Sequence, residues 1–159
     1  MKTTCLFISL LVSSQLLFAA EGQDEFYYWS NADLDAFTTL LSSQAEDGRS
    51  AVADRIINFN HYFAAIVHRE SGSSLYESHK DWADLYVVSS GRGTLTLGGT
   101  ITEPGEVLPG EIRGSGIING TQQLLTEGDI VLIPANTAHY VAVDEGDHIT
   151  YFIFKIREQ

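Results

Sequence analysis

The sequence predicts an all-β domain, a sandwich or barrel, with a short helical extension in front of it. Three observations carry this. From residue 56 onward, short apolar or aromatic runs recur between glycine, proline and asparagine turn signals, with no helical run among them. Before that, Leu34, Phe37, Leu40 and Leu41 fall on one face at helical spacing. Residues 21–159 contain no linker or internal repeat, and a chain of that length buries roughly two-thirds of its unfolded surface in one domain.

Residues 1–20 read as a secretory leader. Lys2 precedes an apolar run from Leu6 to Phe18, followed by Ala19-Ala20 and then Glu21-Gly22-Gln23-Asp24-Glu25. The run is shorter than the roughly 20 residues a membrane span needs, so removal is expected over retention as an anchor, and the location is secreted or periplasmic. Cys5 is the only cysteine and lies ahead of the apolar run. The mature chain therefore depends on its core, without disulfides. Nine basic residues stand against 21 acidic ones, a formal charge of −12, and losing Lys2 with the leader makes it one unit more negative. Such a surface repels phosphate backbones and anionic headgroups, which argues against nucleic acid as a partner, and against membrane once the leader is removed.

Residues 21–55 form the helical extension. Ser30 or Asn31 can cap a helix running to Ser43, and Asp33 and Asp35 suit its positive end. A further helical turn is expected over Ser50–Asp54. Residues 56–159 form the β domain, with strands expected near Ile56–Arg69, Leu75–His79, Leu85–Ser90, Gly93–Leu97, Ile117–Ile118, Gln122–Leu125, Asp129–Ile133, His139–Val143 and Ile149–Ile156. Asn119-Gly120 is a two-residue hairpin signal, since both residues tolerate positive φ. With Thr121 it is also a glycosylation acceptor if the source is a eukaryote. Gly98–Gly116, rich in Gly and Pro, reads as a long loop of the kind that forms a functional rim.

The chemistry concentrates in Tyr76–Asp84. On a strand Glu77 and His79 share a face, and a turn over Lys80–Ala83 would leave Asp84 and Tyr86 facing inward on the returning strand. Alone, these residues read better as polar residues on the solvent face of a hairpin in an acidic protein. A second segment alters the balance: Gly128, an apolar strand, Pro134, a tight turn, then His139. Two carboxylates and two imidazoles suit a borderline or hard divalent ion.

These two segments resemble the motifs of the cupin superfamily. The second cupin motif is glycine, five residues, proline, any residue, glycine, two residues, histidine; Gly128–His139 keeps this spacing, with Asn136 in place of the inner glycine and Val143 in place of the usual closing asparagine. Asn is the residue that next most readily takes a left-handed turn. The first motif, His-x-His, three or four residues, Glu, six residues, Gly, is matched in spacing by Glu77-Ser78-His79, Asp84 and Gly91, with two altered ligands. The resemblance covers about Phe59 to Ile156. It implies a double-stranded β-helix, or jelly-roll barrel, and a divalent metal held by Glu77, His79, Asp84 and His139. The added carboxylate character favours Fe, Mn or Zn over copper.

The function classes implied are a metal-dependent enzyme, a dioxygenase, lyase or isomerase acting on a small oxygen-rich molecule; a non-enzymatic cupin that binds a small ligand or metal; and a metal-free jelly roll using His79 or His139 as acid or base. The first leads, with no catalytic residue assigned. An oxygen-using enzyme of this kind would be an oxidoreductase. Arg69, Tyr86 and Arg113 are candidate contacts to a small-molecule ligand, Arg69 to its carboxylate; the plainer alternatives are a rim ion pair, strand packing and solvent exposure. Trp82, in the expected turn, would sit at an exposed tip as an interface or pocket lip. His61, His68 and His148 match neither motif and are expected to be structural or exposed. A homodimer is reasonable for a barrel with an exposed sheet edge.

Overall fold

The computed structural model describes residues 27–46, 51–71 and 75–158. The expected leader, the start of the expected extension and the break at 47–50 lie outside the described residues. Helix α1 spans Asn31–Glu46. Ser30 caps it reciprocally: the Asp33 amide donates to Ser30 Oγ at 3.3 Å, and the Ser30 amide donates to Asp33 Oδ2 at 2.7 Å. Phe37 and Leu41 are fully buried against Ile66, with Leu34, Trp29, Ile56 and Phe152 around them. The helix thus docks on the outside of the β domain, as its spacing predicts. Phe37→Ala should lower the unfolding free energy by about 3–5 kcal/mol, measured by denaturant titration, whereas a near-neutral change would mean that this face carries little of the fold.

Twelve strands follow among the described residues. β1 (Ala51–Asn58) and β2 (Tyr62–Glu70) form a hairpin, then come β3 (Tyr76–His79) and the long β4 (Trp82–Leu97). β5 (Thr100–Thr102), β6 (Gly105–Leu108), β7 (Glu111–Gly114) and β8 (Gly116–Ile118) are short. β9 (Thr121–Thr126), β10 (Ile130–Ile133), β11 (His139–Ala142) and β12 (His148–Arg157) complete the chain. All pairings are antiparallel, in the order β1-β2-β12-β4-β11-β3-β7-β6, with β9 and β10 also on β4 and a small β5-β8 pair apart. β4 joins the two halves of the curled sheet. Its residues Trp82–Gly91 pair with β12, and Arg92–Leu97 pair with β9. At the changeover Gly91 has φ 73°, and a Cβ there would lie 2.0 Å from the His148 carbonyl oxygen, so only glycine fits.

Alternation on β2 sends Ala65, Val67 and Arg69 inward, while Ile66 faces the helix and His68 reaches Ser42 on it. Tyr151, Ile153 and Lys155 on β12 point inward likewise, and Phe152 outward. The interior core joins them to Tyr86, Val88, Leu95, Leu125, Ile133, Val141 and Ile149. This is the jelly-roll architecture expected of the sequence.

Five local expectations change. The separate strands expected at Leu85–Ser90 and Gly93–Leu97 are one, β4, which runs on through Gly91 as its pairing passes from β12 to β9. Residues 51–54 are strand, not a helical turn, because β2 offers an unbroken row of backbone partners from Ala51 to Arg55. The single strand expected over Ile56–Arg69 is two, divided by a turn that the Phe59 amide closes on the Tyr62 carbonyl at 2.9 Å. Gly98–Gly116 is not an open loop: β5, β6 and β7 lie within it, and β7 pairs with β3. Asn119 takes the expected positive φ, 59°, but the hairpin is not formed, because the flanking strands diverge, β8 to β5 and β9 to β4. Six paired residues on β4 outcompete a three-residue hairpin arm. No helix among the described residues is long and apolar enough to cross a membrane.

Candidate functional site

The turn between β3 and β4 is only Lys80-Asp81, tighter than the span the sequence indicates. It is fixed from both sides: the Lys80 amide donates to the Gly110 carbonyl at 2.8 Å, and the Asn136 amide donates to the His79 carbonyl at 2.7 Å. Asp84 and Tyr86 therefore face inward and are fully buried. Asn136 has φ 60°, the left-handed conformation expected at the glycine position, and it delivers the chain into β11 with His139 opposite Glu77. On the other side of β3, register sets Arg113 against Glu77 and Glu111 against His79.

Ligand atoms of Glu77, His79 and His139 all lie within 4.8 Å of one another. Each imidazole is anchored through one nitrogen only. His79 Nδ1 donates to Glu111 Oε1 at 2.8 Å, and His139 Nδ1 donates to the Thr137 carbonyl at 3.0 Å. Both Nε2 atoms are buried with no hydrogen-bond partner among the described residues, as is Asp84 Oδ1. Partners on Nδ1 that leave Nε2 free are how metal-binding histidines are oriented. The residues present thus fit a divalent ion. Asp84 Oδ2 stands 3.5 Å from His79 Nε2 and 3.6 Å from His139 Nε2, but it is engaged by Lys155 Nζ at 3.0 Å.

Charge explains the arrangement. Burial pulls the His79 imidazole down, but Asp84 and Glu111 outweigh it and push it up to about 9. Burial dominates at His139 and lowers it, leaving a neutral ring. Burial raises Asp84, yet His79 and Lys155 together hold it below its ordinary range. In the metal-free protein, His79 is therefore a cation between two carboxylates. Its folded value lies above the ordinary 6.5, so its contribution to stability is complete below about pH 6.5 and is lost as pH rises through about 9. Chelator-treated protein should melt progressively lower across that window, and a His79→Gln variant should show a flatter profile.

A cavity of about 410 Å³ opens beside the cluster. Arg69, Tyr86 and Arg113, singled out from sequence, all line it together with Glu77. Trp82 is not at an exposed tip: it packs on Phe63, ring centroids 5.6 Å apart, under the Arg157 guanidinium at 5.9 Å. His68 is buried and bonded to Thr150 and Glu70, while His61 and His148 are exposed. Glu111 and Lys155 are absent from the sequence-derived set. Glu111 lay in an apparent loop, and only the β3–β7 register brings it to His79. Lys155 had a signal: it is the one charged residue in Ile149–Ile156, at an inward position of an apolar strand.

Residues 113–159 match the sequence profile of an AraC-like ligand binding domain. No curated protein matches the chain. Solved structures do. A protein with a double-stranded β-helix domain from Klebsiella pneumoniae is 14% identical over 70% of this chain and 80% of its own, with TM-score 0.51. A cupin superfamily protein from Desulfitobacterium hafniense is 12% identical over 69% and 80%, with TM-score 0.50. KdgF from Halomonas sp. is 16% identical over 69% and 83%, with TM-score 0.49. With the strand order above and both motifs folded around one point, the chain has the double-stranded β-helix, or cupin jelly-roll, fold.

Proposed function

We propose that this chain is a secreted metal-dependent cupin enzyme, of dioxygenase, lyase or isomerase type, acting on a small oxygen-rich molecule in the cavity. The observation that carries it is the pair of buried, unpartnered Nε2 atoms of His79 and His139, each held from behind and grouped with Glu77. Glu77, His79 and His139 would hold Fe, Mn or Zn, and Asp84 would be a fourth donor when Lys155 releases it. Bound there, the ion supplies Lewis acidity and open coordination positions. The rest is done by the chain. Glu111 and Thr137 orient the rings, Tyr86 brings its hydroxyl to 3.5 Å from Asp84, and Val67 and Ile153 give the cavity an apolar wall.

The match to a ligand binding domain favours a second reading, a cupin that binds without turnover. Elemental analysis of protein purified without added metal, followed by reloading and oxygen-uptake assays on catechols, thiols and small acids, separates the two. Stoichiometric metal with uptake supports the enzyme; metal with binding but no turnover in any reaction class supports the binder. Absence of metal after reloading rejects both metal readings.

A further inference from the structure

The chain carries 21 acidic and nine basic residues, yet the cavity beside the cluster has the opposite sign. Four of the nine basic residues, Arg55, Arg69, Arg113 and Lys155, line it, against the single acid Glu77. Concentrating cations inside an acidic protein opposes its mean field, so their local pairing decides whether they are structural. Lys155 is spent on Asp84. Among the described residues the arginines are paired more weakly, and of the three only Arg113 has a carboxylate at ion-pair distance. Arg113 Nε is 3.8 Å from Glu77, beyond hydrogen-bond reach, and is buried without a partner among the described residues. Arg69 donates through Nε to Tyr151 Oη at 2.8 Å, which fixes its fork against the cavity wall. Among the described residues neither Arg69 nor Arg55 has a carboxylate at ion-pair distance; Arg55 lies over the Phe63 ring at 4.1 Å. Around these forks the wall is apolar, with Val67, Leu75 and Ile153.

We infer that the cavity takes a small organic carboxylate with an apolar body, its carboxylate held by Arg69 and Arg113 and its body against Phe63, Val67 and Ile153. This rests on the reading of the cavity as the ligand site and names the class of molecule it admits. A guanidinium fork matches a planar carboxylate with two parallel hydrogen bonds, and a half-buried fork already anchored on one side loses little freedom on binding. The apolar wall supplies the remaining affinity and discriminates against short acids.

The test is calorimetric titration with benzoate, its neutral isostere benzamide, and acetate, on full-length protein, both metal-loaded and chelator-treated. Benzoate should bind at least about tenfold more tightly than either of the others, in both preparations, because the contacts are arginine side chains. Arg113→Met, at the partly exposed rim, and Arg69→Met should each weaken benzoate by about tenfold or more while leaving benzamide unchanged. Circular dichroism and melting verify the fold of Arg69→Met, and if it fails to fold, Arg113→Met decides. Equal binding of benzoate and benzamide overturns the inference, as does acetate matching benzoate or no binding of any of the three. Benzoate binding that disappears on chelation and ignores both arginine substitutions also overturns it, and leaves the metal reading standing. Arginine-dependent binding in a protein that takes up no metal upholds the inference and rejects the metal reading.

Discussion

His139→Ala should reduce the affinity for divalent metal by more than the 10–100-fold typical of losing an outer partner, while Glu111→Gln should fall within that range. The contrast follows from position. His139 presents a buried Nε2 to the cluster and has no other bond from that atom, whereas Glu111 touches only the far nitrogen of His79. Competition against a chromophoric chelator measures both. His79→Ala should match His139→Ala. If Glu111→Gln proves as damaging as either, the carboxylate is itself a ligand; if His139→Ala retains full affinity, the ion is held elsewhere.

Lys155→Met should cost the metal-free protein about 3–5 kcal/mol, seen as a fall in melting temperature of roughly 10 °C. The lysine is nearly buried and its ammonium lies 3.0 Å from Asp84, which has no exposed surface. Removing it leaves the interior carboxylate with His79 as its one cationic neighbour among the described residues, beside the neutral His139 ring and the Tyr86 hydroxyl. The double variant Lys155→Met with Asp84→Asn should recover most of the loss, since neutral isosteres replace both charges. Metal should act in the opposite direction: with Asp84 released, Lys155→Met should bind it more tightly than the parent, so the loaded variant loses less stability than the chelated one. A single variant as stable as the parent without metal would mean that Lys155 is not Asp84's partner in solution.

Much of this site was legible from spacing. Glu77, His79 and Asp84 kept the intervals of a motif, and Asn136 met the one conformational demand its substitution raised, a left-handed turn. Strand parity placed Tyr86 inward. The remainder was hidden because it depends on pairing across the chain. Glu111 reaches His79 through a register between β3 and β7 that no local pattern encodes, and Gly-Pro punctuation masked β7 itself. The Asp84–Lys155 contact joins residues on β4 and β12 that face one another in register. The helical turn expected at Ser50–Asp54 failed for a related reason: weak local preference yields to a partner strand offering a full ladder.

The sixteen-residue strand β4 has a consequence for how the molecule opens. It pairs with β12 and β10 along one half and with β11 and β9 along the other, so neither half of the barrel can detach without breaking it. Its amides should be among the slowest to exchange with deuterium, released only by global unfolding. β7 and β6 end the sheet on the other side, and their amides should exchange through smaller local openings. Asp84 and His139 therefore stand on, or pair directly against, the most persistent strand of the barrel, while Glu111 and Arg113 ride on a flap of lower local stability. An opening of that flap would leave His139 in place and free the His79 ring from Glu111, so the two histidines should differ in how firmly they are held.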